Sequence, residues 1–223
     1  RMVHLPKIVA MAPTTGSSAG GTRVVLSLSR FNEFAVPIDS SLVCQFGGIG
    51  QTTTATMESD GSSIACVAPP QRRSEEEEES KDGLRSSVQV EVRMNGRVLA
   101  ISPVNFVYYM PPRTWSVQPD VIDVTQSGTT MLVVTGTGFQ KQREKDRSSN
   151  IHKQHNSTIL CQIGELAPTV AHVINDTTLE CTTPTFGVGG DGSGTEVVHL
   201  VGWTPLSISM NGGSEWLRVG VEI

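Results

Sequence analysis

The chain has 223 residues, 37% hydrophobic and 17% charged, with 22 glycines, 12 prolines and a formal net charge of −5. That length holds one large or two ordinary domains, and the composition is that of a folded, turn-rich protein and not of a disordered one. An acidic balance offers no uniform positive field to a nucleic-acid backbone or an anionic bilayer, and no apolar run reaches the roughly 18 residues a spanning helix needs, so neither nucleic acid nor membrane insertion is expected.

In chain order, residues 6–11 read as a short strand and the Gly/Ser/Thr cluster at 12–22 as a turn. Residues 23–28 alternate apolar with polar over most of their length, as a strand with one buried face does. Residues 42–46 and 64–67 are two further short strands. Between them and the next strand lies the charge block 72–82, with its run Glu75 to Glu79, which reads as a solvated loop; contact with a cation or a basic protein is the alternative. Residues 87–93 alternate strictly and run into Asn95-Gly96, the strongest short hairpin signal. Residues 106–109 close the unit as its last strand, and no segment shows helical periodicity over ten residues.

The chain then repeats itself. Cys44-Gln45-Phe46-Gly47 returns as Cys161-Gln162-Ile163-Gly164, Cys66 as Cys181 and Met94-Asn95-Gly96 as Met210-Asn211-Gly212, at offsets of 161 − 44 = 117, 181 − 66 = 115 and 210 − 94 = 116. Three landmarks in one order at nearly one spacing mark a duplicated domain. Ser127-Gly128-Thr129 replays Gly20-Gly21-Thr22, residues 131–139 replay the strand that follows and its exit, and residues 217–223 form the closing strand. Six or seven short strands in about 110 residues indicate a β-sandwich, so the expected fold is all-β, two sandwiches in tandem, over residues 1–110 and 111–223. Met110-Pro111-Pro112-Arg113-Thr114 joins them, and its prolines predict a stiff connection. Met110 and Trp115 are expected to be partly buried there or within their own domains. The opening on Arg1 suggests a piece of a longer chain.

Pro13, Gly16, Gly20-Gly21-Thr22, the strand Cys44 to Gly47, Cys66 with Pro69, and Asn95-Gly96 with Phe106 and Tyr108 resemble an IPT/TIG domain, an immunoglobulin-like (E-set) sandwich found in plexins and transcription factors. The second copy is similar through Gly128-Thr129, Gly136, Gly138-Phe139, Cys161, Gly164, Cys181, Pro184 and Asn211-Gly212. The first copy departs from the family at Ser29-Arg30, where a Gly-x-Gly precedes the phenylalanine. Because the pattern consists of turn and core positions, the resemblance implies fold more than function.

Four cysteines in two equivalent pairs invite disulfides Cys44–Cys66 and Cys161–Cys181; buried thiols are the alternative, and the close pairs of a zinc site are missing. Bridged cysteines imply a secreted or surface protein, and Asn156-Ser157-Thr158 and Asn175-Asp176-Thr177 are glycosylation acceptors in keeping with that. Apparent catalytic signals fail on context. Gly16-Ser17-Ser18-Ala19-Gly20 matches a nucleophile elbow in letters, yet a strand follows it where that motif needs a helix. Gly136-Thr137-Gly138 and the glycine-rich residues 187–194 lack the remaining parts of nucleotide-binding loops, and His152 and His155 have no third ligand nearby. No catalytic residue, cofactor or metal site is therefore expected. The favoured reading is a non-catalytic ectodomain segment, a rigid spacer or adhesion module with a protein partner, as the resemblance to plexin-like and fibrocystin-like surface proteins implies. The alternatives are an intracellular DNA-binding or dimerisation module, and a carbohydrate-binding accessory domain using Trp115, Trp203 or Trp216.

Overall fold

The computed structural model describes residues 5–31, 41–48, 51–71, 86–122, 128–139, 158–185 and 204–222. The chain divides into two compact units, Arg1–Met110 and Pro111–Ile223. The charge block at 72–82, the histidines His152 and His155, Asn156, Trp203 and the glycines at 187–194 lie outside the described residues.

The first unit comprises β1 (Lys7–Ala12), β2 (Thr15–Ser17), β3 (Arg23–Ser29), β4 (Leu42–Phe46), β5 (Thr52–Thr54), β6 (Thr56–Met57), β7 (Ser63–Val67), β8 (Ser86–Val88), β9 (Val90–Met94), β10 (Arg97–Ile101) and β11 (Phe106–Tyr109). They form sheets in the orders β1-β3-β7-β6, β10-β9-β4-β5 and β2-β11-β8. The alternation in the sequence sets the faces. Val24, Leu26 and Leu28 of β3 point into the core, as do Leu42, Cys44 and Phe46 of β4 and Val90 and Val92 of β9. Phe106 stands edge-on to both Phe46 and Tyr108, at ring separations of 5.4 and 5.0 Å, the arrangement in which the positive rim of one ring meets the negative face of the next. The Asn95-Gly96 hairpin closes as a type I′ turn, with φ of 51° and 79° at its two central residues and Arg97 returning opposite Met94, the geometry that matches strand twist.

Two expectations need correction in this unit. The Gly/Ser/Thr cluster is not only a turn: it contains β2, which lies parallel to β11 and is buried along its length. Short polar residues pass beneath Phe106 there because Gly16 presents no side chain toward Thr22 and the Phe106 ring. The alternating segment 87–93 is not one strand. It breaks at Gln89, whose carbonyl accepts the Gly47 N–H, so that β8 serves β11 while β9 serves β4.

The second unit comprises β12 (Arg113–Gln118), β13 (Met131–Thr137), β14 (Leu160–Ile163), β15 (Thr169–Val170), β16 (His172–Asn175), β17 (Thr178–Thr182), β18 (Pro205–Ser209) and β19 (Leu217–Glu222). Its sheets run β12-β13-β17-β16 and β15-β14-β18-β19, and Leu132, Val134, Phe139, Cys161, Ile163, Leu179, Cys181, Leu206 and Ile208 face the interior. Each unit is thus an immunoglobulin-like β-sandwich, and the described residues include no α-helix. The closing-strand reading of residues 217–223 requires refinement. Leu217 and Arg218 pair with Ile208 and Ser207 just as Ala100 and Ile101 of β10 pair with Val92 and Glu91, so β19 is the counterpart of β10 and not of β11.

Candidate functional site

The pairing registers superimpose the units residue by residue and show which positions each uses for what. In the first, Ile8 faces Leu28 and Ala10 faces Ser27, leaving Val9 as a bulge; in the second, Thr114 faces Gly136 and Ser116 faces Thr135, leaving Trp115 as the bulge. A bulged residue has no cross-strand partner and its side chain is re-aimed. Val9 is 60% exposed and Trp115 63%, so the expected burial of Trp115 does not occur, and Met110 is exposed as well. Trp115 is a large apolar side chain presented to solvent by backbone geometry. Trp216, by contrast, is half-buried.

The cysteines sit where strand pairing brings the two layers of each sandwich together. Cys44 on β4 is opposite Val92, and Cys66 on β7 is opposite Val24. Cys161 on β14 is opposite Ile208, and Cys181 on β17 is opposite Leu132. Disulfides join Cys44 to Cys66 and Cys161 to Cys181 across the layers, with Cα atoms 6.2 and 5.9 Å apart, and all four residues are buried. Closing loops of this length stabilises each unit by about 3 kcal/mol in the chain-entropy account.

The turn that enters the second cysteine strand is built on the same device in both units. Asp60, three residues before β7, accepts the Ser62 and Ser63 N–H groups on Oδ1, each at 2.8 Å. Asn175, three residues before β17, accepts the Thr177 N–H on Oδ1 at 2.8 Å and the Thr177 hydroxyl at 2.9 Å. The carbonyls of Ser62 and Thr177 then accept the N–H groups of Leu28 and Gly136, which occupy one register position on β3 and β13. The backbone hydrogen bond from Ser62, followed by the bonds from Ser63, holds the Asp60 carboxyl below its ordinary value. Asn175, Asp176 and Thr177 are all exposed.

The exit from β3 and β13 was the place where the first copy departs from the family pattern. Arg30 there has φ of 59° and Gly138, its counterpart, φ of 86°, and both lead into a buried phenylalanine, Phe31 or Phe139. The left-handed backbone is therefore kept although the glycine is not. Ser18, the central residue of the elbow-like motif, lies half-buried just after β2, its N–H donating to the Tyr109 carbonyl and its carbonyl accepting the Gln71 N–H, while Ser17 beside it is buried in β2 with its Oγ accepting the Ala19 N–H. A strand, β3, follows it, so the motif is part of the scaffold. Burial pushes the Tyr108 hydroxyl up to about 12, and that hydroxyl donates to the Pro69 carbonyl at 3.0 Å. Among the described residues, no three His, Cys, Asp or Glu side chains come together as a metal site.

Residues 112–216 match a family model described as the IPT/TIG domain. No match was found among curated proteins. Among solved structures, the chain is similar to the full extracellular region of plexin A4, in one case at 20% identity and TM-score 0.42 over 83% of this chain and 13% of that one. In a second plexin A4 structure the values are 15% and 0.40 over 98% of this chain and 18% of that one. Invasin, a bacterial integrin-binding protein, is similar at 11% identity and TM-score 0.30 over 96% of this chain and 39% of that one. The chain thus spans less than a fifth of either plexin region.

Proposed function

Because the second unit is an IPT/TIG domain and the first repeats its strand pairing, we propose that the chain is a non-catalytic segment of an extracellular or cell-surface protein, residues 1–110 and 111–223 being its two domains. The observation that carries this reading is the matched pair of inter-layer disulfides. Such bridges persist in oxidising compartments and are rare where glutathione keeps thiols reduced. The partner is a protein, and Trp115, exposed on its bulge, is the side chain best suited to anchor it, since exposed aromatics supply large contact area at little entropy cost. The joint Pro111-Pro112 makes the segment a spacer as well, because two prolines restrict the backbone between the closing strand of one domain and the opening strand of the next. The DNA-binding alternative has less to rest on: residues 14–21 carry no basic side chain to meet a phosphate.

The test is accessibility on intact cells that make the full-length parent chain. Labelling of lysines in this segment by a membrane-impermeant reagent is expected before permeabilisation; labelling only afterwards would overturn the extracellular reading. Small-angle scattering tests the spacer. A Pro111→Gly/Pro112→Gly variant should broaden the distribution of domain separations, and an unchanged distribution would show that the prolines fix nothing.

A further inference from the structure

The two turns before β7 and β17 use one side-chain device on different backbones: Gly61 has φ of 63° whereas its counterpart Asp176 is not left-handed, and Asn175 pairs directly with Thr178 whereas Glu58 bonds Ser63 across a longer loop. Only an oxygen is needed to hold either: Asp60 Oδ1 takes the bonds in the first unit and Asn175 Oδ1 takes them in the second. A carboxylate offers the same kind of accepting oxygen, as Asp60 does to the N–H two residues on, and charge favours it, because an ionised acceptor strengthens such bonds. The amide nitrogen of Asn175 is thus surplus to the turn. It stands on an exposed hairpin tip, and the residue two positions on is a threonine whose hydroxyl is bonded to the same side chain.

We infer that Asn175 is a glycan attachment site, and that the turn is built to carry the sugar without being disturbed by it. This rests on the extracellular reading, since the donor is found in the secretory pathway. In the transfer, Asn175 Nδ2 forms a bond to C1 of an oligosaccharide while the bond from C1 to a polyisoprenyl diphosphate breaks. The diphosphate lipid leaves and the amide proton passes to a base of the transferase. In the product Oδ1 is still an amide oxygen free to accept the same two bonds, so the folded hairpin between β16 and β17, and the Thr177 carbonyl that receives the Gly136 N–H, do not need to change. The first unit has no acceptor at the corresponding position, because a carboxylate occupies it: Asp60-Gly61-Ser62 lacks only the amide.

The experiment is expression of the chain behind a cleavable secretory leader, with peptide mapping by mass before and after enzymatic glycan release. The wild-type peptide holding Asn175 is expected to carry a glycan. Asn175→Asp should lose that glycan and keep the unfolding midpoint of the wild-type chain produced without glycosylation. Asn175→Ala, which removes the accepting oxygen, should lose the glycan and lower that midpoint. Asp60→Asn, which completes an acceptor tripeptide with Gly61 and Ser62, should gain a glycan in the first unit. Secreted, fully oxidised protein with an unmodified Asn175 would overturn the inference and leave the extracellular reading standing. Reduced cysteines in the native parent chain would sink that reading, whatever the occupancy measured behind an added leader.

Discussion

The two sandwiches keep the same backbone devices at the same register positions and fill them with different residues. Val9 and Trp115 occupy one bulge, Arg30 and Gly138 one left-handed exit, Asp60 and Asn175 one side-chain-capping position three residues before the strand. What the pairs share is geometric: an unpaired residue, a positive φ, an accepting oxygen. What differs is chemistry, and, Gly138 apart, which is half-buried against Pro112, it differs at positions open to solvent, where packing does not choose the side chain. The bridged cysteines show the opposite case. Both units bury them, and there the chemistry does not vary, with Cα separations of 6.2 and 5.9 Å.

The largest break in this comparison is expected in the core of the first unit. Phe106→Ala removes the ring that meets both Phe46 and Tyr108 and should cost about 4 kcal/mol. Calorimetry should show the loss in one transition and leave that of the second unit in place; a joint shift of both would mean that the units do not unfold independently. Next in size are the bridges. Cys44→Ala/Cys66→Ala and Cys161→Ala/Cys181→Ala should each cost about 3 kcal/mol, and nearly the same amount, because the loops they close span 22 and 20 residues. A clear inequality would show that one bridge does more than restrain its unfolded chain.

The left-handed exits give a smaller, signed test. Gly138→Ala should destabilise the second unit by about 1 kcal/mol, whereas Arg30→Gly should stabilise the first by up to about 1 kcal/mol, since a side chain at positive φ crowds its own carbonyl. Chemical denaturation of both variants checks the signs. If Arg30→Gly destabilises, the arginine side chain contributes contacts that outweigh its backbone cost.

Smallest is the hydroxyl of Tyr108. Tyr108→Phe gives up the bond to Pro69 and should cost about 1 kcal/mol near neutral pH. Burial raises the folded-state value to about 12 from the usual 10, so the unfolded chain releases this proton first. The stability it supports is fully present below pH 10 and is lost as pH rises from 10 to about 12. In the phenylalanine variant that part of the alkaline loss should vanish, and an unchanged alkaline profile would contradict the assignment.

Much of this architecture was readable from residue pattern because duplication writes each core position twice. Cysteines, the Asn-Gly pair and the alternation of β3 mark buried faces and tight turns, which leave little freedom of sequence. The parts that escaped reading depend on partners distant in the chain. β2 is a strand only because β11 lies beside it, and its short polar residues carry no strand signal of their own. Trp115 looked like a residue for burial because tryptophan is apolar; its exposure follows from a register shift that only pairing reveals. Arg30 hid a left-handed position because nothing in an arginine announces positive φ. The Asx turn at Asn175 was visible as an acceptor tripeptide, but its equivalence to Asp60 needed the hydrogen bonds.

The central claim, two bridged sandwiches working outside the reducing interior of the cell, is met most directly by intact mass of the native parent segment, alkylated under denaturing conditions without reductant. None of the four cysteines is expected to take up an alkyl group, and peptide mapping is expected to recover Cys44 linked to Cys66 and Cys161 linked to Cys181. Alkylation of all four would contradict that claim.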